Sequence, residues 1–209
     1  MKKQTSALHD TVILVIITLV AGVVLGAVHD VTADPIAKQE AATQAAAEKE
    51  VFSDADSFKE VEDFDSDAFT ATLEQQGLDQ TTVNAVYEAD DADGNKLGYV
   101  VDSSNNEGYG GTVELMVGIA TGDSGYVING ISFLNLEETA GMGMKAKDPE
   151  FKDQFNDMEL GDETSISYTK SGKSAANEID AISGCTITTN AVTKAVNGAL
   201  AAVTDLEEG

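Results

Sequence analysis

The sequence predicts one membrane-spanning helix followed by an α+β domain, an antiparallel sheet with flanking helices. Three observations carry that prediction. Residues Thr11 to Val28 form 18 consecutive uncharged positions rich in Val, Ile, Leu and Ala. Residues from Thr82 to Leu136 alternate apolar and polar side chains between glycine-bearing turns, and the stretch after Asn190 repeats apolar residues at helical spacing.

The apolar run comes first. As a helix its 18 residues span about 27 Å, close to the hydrocarbon thickness of a bilayer. Lys2 and Lys3 precede it, Asp30 and Asp34 follow it, and no Lys recurs until Lys38. The positive-inside tendency then places residues 1–10 in the cytoplasm, 11–28 across the membrane and 29–209 on the outer face. A cleaved signal peptide shares the basic start and apolar middle, but its apolar region is usually shorter. The exit His29-Asp30-Val31-Thr32 also offers no clear cleavage site.

Residues 29–80 read as a helical stalk and lead-in. After Pro35, Ile36 to Val51 is rich in Ala, Glu and Gln and free of Gly and Pro, which favours a helix continuing the anchor. Phe52, Phe58, Val61, Phe64, Phe69 and Leu73 follow in an irregularly amphipathic pattern that Gly77 stops, and these apolar side chains are expected in a core.

The outer domain is expected over residues 81–209. Val83 to Ala89 and Lys96 to Val101 read as strands around the acidic turn Asp90 to Asn95, where Gly94 permits the positive φ of a tight hairpin. That turn does not fit a calcium loop. Register to an EF-hand through Gly94 puts Ala89 at the first ligand position and Val100 at the twelfth, where a bidentate carboxylate is needed. Gly108-Tyr109-Gly110-Gly111 leads into a strand from Thr112 to Ala120, and Gly122 to Gly125 turns it into Tyr126 to Leu136. The result is a meander of about four strands. The last helix carries Ala191, Val192, Ala195, Val196, Ala199, Leu200 and Val203 on one stripe, with Thr188, Thr189 or Asn190 as its N-cap.

Charge and cysteine usage exclude whole classes of function. The net charge of −25 comes from 37 acids against 12 bases, all Lys, so a phosphate-rich partner such as nucleic acid is repelled. Adaptation to high salt accounts for the same composition. The single Cys185 rules out an internal disulfide, a thiolate-held iron–sulfur cluster and a Cys-rich zinc site within this chain. His9 and His29 both flank the anchor, so no Cys–His pair can form in the outer domain, and Cys185 reads as a small buried side chain. Redox chemistry here would need an organic cofactor.

Ser183-Gly184-Cys185-Thr186-Ile187-Thr188-Thr189 gathers hydroxyls and a glycine where the last helix begins. Free backbone N–H groups and the helix dipole stabilise a phosphate at such a point. An ordinary Ser/Thr-rich cap has the same composition.

Asp180-x-x-Ser183-Gly184-Cys185-Thr186 resembles the flavinylation motif Asp-x-x-Ser/Thr-Gly-Ala-Thr of the FMN-binding domain family. That family includes the G subunit of the Rnf electron-transport complex and the C subunit of the sodium-translocating NADH:quinone reductase. Glu138-Thr139-Ala140-Gly141-Met142-Gly143 is similar to the Glu-Thr-Pro-Gly-Leu-Gly segment of the Rnf G subunit, and Gly108 to Ile119 resembles the family's strand entering the flavin site. Leu19-Val20-Ala21-Gly22 and Asp34-Pro35-Ile36 fit as well, so the resemblance covers nearly the whole chain. Two residues depart from the pattern: Cys185 stands for Ala and Ala140 for Pro.

The resemblance implies an FMN joined through its phosphate to Thr186 by a flavin transferase, with Thr188 as the second candidate hydroxyl. It also implies that Asp180, Ser183, Gly184 and Cys185 form the attachment loop, that Glu138, Thr139 and Gly143 line the flavin, and that Tyr109 and Met142 pack on the ring or in the core. The implied role is an electron-transfer subunit of an Rnf-type ferredoxin:NAD oxidoreductase coupled to ion movement, assembled with other membrane subunits. The quinone-reductase C subunit, a stand-alone extracellular flavin carrier and a non-redox membrane-anchored binding module are the competing readings.

Overall fold

The computed structural model describes residues 7–122 and 125–208, so Lys2 and Lys3, on which the expected orientation rests, lie outside the described residues. Helix α1 runs Ala7–Val51 as one element with Pro35 inside it. Between Val12 and Val31 its large apolar side chains are 43–75% exposed, which is the state of a helix whose solvent is lipid rather than a protein core. It is one helix long and apolar enough to cross a membrane among the described residues.

The chain divides by its contacts after Thr43, and the second unit, from Gln44 onward, holds a six-stranded sheet. Its strands are β1 Ser57–Glu60, β2 Thr81–Asp90, β3 Lys96–Asn105, β4 Val113–Gly122, β5 Gly125–Leu136 and β6 Met158–Gly161. They lie in sequence order, every neighbour antiparallel. The α+β class thus stands, but the meander has six strands rather than four. The two additions are edge strands of four residues each, too short for alternation to mark them. Phe58, expected in a helical lead-in, sits on β1 paired with Ala89.

One sheet face is covered by α2 (Ser66–Gln75) and α4 (Thr186–Glu208), whose Ala191, Val192, Ala195, Val196, Ala199, Leu200 and Val203 are all fully buried. Asp65 caps α2 by accepting the Ala68 N–H, and Gly77 follows it at φ +77°. The other face takes the end of α1 and the turn that follows it: Ala47, Val51, Phe52 and Ala55 pack with Ala89, Val100 and Met116. Burying apolar area on both faces at about 25 cal/mol per Å² makes the sheet the centre of one three-layer unit. After β5 the chain passes through a 3-10 turn (Gly143–Lys147), the short α3 (Pro149–Lys152) and a second 3-10 turn (Asp153–Phe155) before β6. Then β7 (Ser167–Thr169) and β8 (Glu178–Asp180) form a small parallel pair that delivers the chain to α4.

Candidate functional site

The loop between β8 and α4 is built by short-range bonds. Ile179 is fully buried, Ala181 donates its N–H to the Thr169 carbonyl at 2.8 Å, and Gln154 brackets Asp180, accepting its N–H at 2.7 Å and donating to its carbonyl at 3.2 Å. Cys185 then closes a tight turn by donating to the Ile182 carbonyl at 3.0 Å. Gly184 holds φ +77° in that turn, a left-handed conformation that side-chain-bearing residues adopt at a penalty.

Helix α4 starts at Thr186, four residues earlier than an N-cap at Thr189 would allow. Thr188, Thr189 and Asn190 therefore lie within its first turns. Thr189 still serves the helix start from inside: its hydroxyl accepts the Ile182 N–H at 3.1 Å and donates to the Cys185 carbonyl at 3.0 Å. The first turn carries no Asp or Glu, so the positive end of the helix dipole is not compensated within α4 itself.

Three segments converge on this helix start around a cavity of about 280 Å³: Tyr109, the stretch Glu138 to Gly143, and Gly184 to Thr188. Of the residues singled out by sequence, Thr186, Gly184, Cys185, Thr188, Glu138, Thr139 and Gly143 meet here. Asp180 and Ser183 do not. They line a second cavity of about 430 Å³, together with Lys145, Asp148, Glu150 and Lys173.

The hydroxyls in the first cavity are not equivalent. Thr188 is 1% exposed and donates to Glu138 Oε1 at 2.8 Å, whereas Thr186 is half-buried and its hydroxyl bonds no other described residue. Glu138 Oε1 also accepts the Tyr109 N–H at 3.0 Å. Gly143 is buried beside that carboxylate; a Cβ there would stand 2.6 Å from Glu138 Oε2 and 2.7 Å from Thr188 Oγ1. Cys185 is buried and free, as its size suggested.

Tyr109 and Met142, for which sequence left ring contact and core both open, are not core: they are 71% and 51% exposed. Ile187, at 52%, joins them at the rim and was missed by sequence reasoning. Exposed large apolar side chains around a pocket with a few polar groups are what a flat aromatic ligand covers. The lining therefore suits a phosphate-bearing aromatic cofactor, with helix N–H groups and a free hydroxyl for the phosphate and apolar side chains for the ring.

Comparison with known proteins bears on the same residues. The chain matches the FMN-binding domain over residues 108–201 and the RnfG N-terminal region over residues 1–51. It is 32% identical to the G subunit of the ion-translocating oxidoreductase complex of Methanosarcina acetivorans, over 90% of each chain. It is 31% identical to the G subunit of the Na(+)-translocating ferredoxin:NAD(+) oxidoreductase complex of Acetobacterium woodii, over 88% of this chain and 86% of the relative. The G subunit of the proton-translocating ferredoxin:NAD(+) oxidoreductase complex of Clostridium ljungdahlii is 30% identical over 100% of this chain and 97% of its own.

Proposed function

The chain belongs to the family of G subunits of Rnf-type ion-translocating oxidoreductase complexes, and on that premise we propose that it carries one FMN esterified through its phosphate to Thr186 and passes electrons within such a complex. It is an electron-transfer flavoprotein subunit with an FMN-binding domain and an apolar N-terminal helix suited to anchoring it in the membrane. Its partners are the other subunits of the complex, and a flavin transferase loads it. Residues 11–28 span the bilayer with the FMN domain on the outer face. A covalent link suits that location, where a dissociable cofactor would be lost by dilution.

One observation carries the choice of residue. Of the two hydroxyls that the start of α4 gives to the cavity, that of Thr186 bonds no other described residue, while that of Thr188 is buried and bonded to Glu138. FMN, when bound, supplies the capacity to accept and release electrons one or two at a time. The remaining work belongs to the chain. The opening N–H groups of α4 hold the phosphate, Thr186 supplies the ester oxygen, and Tyr109, Met142 and Ile187 shield the ring from water.

The test is intact mass and in-gel fluorescence of the chain co-expressed with a flavin transferase. One FMN increment is expected in the native sequence and none in Thr186→Ala; an unmodified, colourless native chain would sink the assignment.

A further inference from the structure

We propose that Glu138 is a positioning residue that ties the three walls of the Thr186 cavity together, acting through Thr188 and the Tyr109 backbone rather than through the flavin. One carboxylate oxygen accepts from both the Thr188 hydroxyl at 2.8 Å and the Tyr109 N–H at 3.0 Å. The first belongs to the opening turn of α4, the second to the segment before β4, and Glu138 itself follows the end of β5. Three stretches far apart in sequence are thus fixed at one atom.

The third wall is shaped to admit the carboxylate. Gly143 approaches so closely that a methyl there would collide with both Glu138 Oε2 and Thr188 Oγ1. Thr188 is 1% exposed, so without Glu138 its hydroxyl would be buried with no acceptor, the expensive condition for a polar group. The segment before β4 has a second tie, Lys194 to Glu107 at 2.7 Å, which leaves Glu138 responsible for the part that carries Tyr109. The arrangement has a chemical result as well. By engaging Thr188, Glu138 leaves Thr186 as the free hydroxyl that the start of α4 offers to the cavity.

This inference rests on the flavin reading of the cavity, but its primary test needs no flavin. Full-length protein made without a flavin transferase would be studied in detergent by residue-resolved hydrogen–deuterium exchange. Glu138→Ala is expected to speed exchange at the Tyr109 amide by about tenfold, the effect of losing one charge-assisted bond. Gly143→Ala, which displaces the same carboxylate from five residues further along its own segment, should do likewise. Glu138→Gln keeps an acceptor oxygen for both bonds and should stay within about twofold of the native rate.

Native-like exchange in both Glu138→Ala and Gly143→Ala would overturn the proposal. So would equal acceleration in Glu138→Gln, which would make the charge, not the tie, responsible. Should Glu138→Ala fail to fold, Gly143→Ala gives the same readout. In loaded protein, flavin fluorescence anisotropy should fall in Glu138→Ala and be restored in Glu138→Gln. Absence of covalent flavin from every form would defeat the functional reading alone, because the exchange rates still decide the tie.

Discussion

The two cavities lined by the chain between β8 and α4 make an instructive pair. The one holding Asp180 and Ser183 is larger, about 430 Å³, and is lined by the charged groups of Lys145, Lys173, Asp148 and Glu150. The one holding Thr186 is smaller, about 280 Å³, contains no Lys, and is rimmed by Tyr109, Met142 and Ile187. Size and charge would favour the first. The second alone combines a free hydroxyl, the opening amides of a helix of 23 residues and exposed apolar surface, the mixture that a nucleotide with an aromatic ring requires. A loop two or three residues wide can therefore present different chemistry on its two sides, and motif membership does not say on which side a residue acts.

The sharpest way to break this contrast is to remove one hydroxyl from each side. Thr186→Ala should abolish covalent flavin, while Ser183→Ala should retain it at close to full stoichiometry by intact mass; the reverse result would transfer the site to the other cavity. Gly184 is the hinge between the two sides. Its φ of +77° predicts that Gly184→Val costs about 1–2 kcal/mol of stability, visible as a lowered denaturation midpoint, and reduces flavin loading.

A carboxylate outside both cavities supplies a comparison of similar size but opposite sign. Burial pushes Asp102 up to about 6 from 3.8, with Glu114 adding repulsion and a hydrogen bond from Asn84 only partly opposing the rise. The folded state therefore favours the protonated form. Stability from this group is complete below the unfolded value of 3.8 and is lost as pH rises toward 6. Asp102→Asn should raise stability by about 1–2 kcal/mol at pH 7 to 8, with the gain vanishing below about pH 4 in denaturant titrations. Smallest in stability is Tyr109→Ser. An exposed side chain should change the folding free energy by less than about 0.5 kcal/mol, yet raise flavin fluorescence by uncovering the ring.

What sequence revealed and what it hid follow the same physical line. Long periodic segments were legible: the apolar run inside α1, strands β2 to β5, and the α4 stripe, each of which repeats its pattern often enough to be unambiguous. Gly94 at φ +81° and Gly77 at φ +77° stand where a hairpin turn and a helix stop were expected. Strands β1, β6, β7 and β8 were not legible, because elements of three or four residues exist only through their partners. The same holds at the site. Asp180 turns toward the second cavity because Gln154, 26 residues earlier, grips its backbone, and Thr188 is withdrawn by Glu138, 50 residues earlier. Neither pairing leaves a local mark in the chain. Ile187 was overlooked because it lies four residues before Ala191, in phase with the buried stripe although it stands beyond the sheet's cover.

Helix α4 follows all eight strands, and its side chains are what fill the space over the sheet. A ribosome-bound chain missing those residues has neither a closed interior nor a place for a prosthetic group. The order of maturation is written into the topology: synthesis and folding come first, and on the proposed reading an enzyme that loads Thr186 would have to recognise a finished polypeptide.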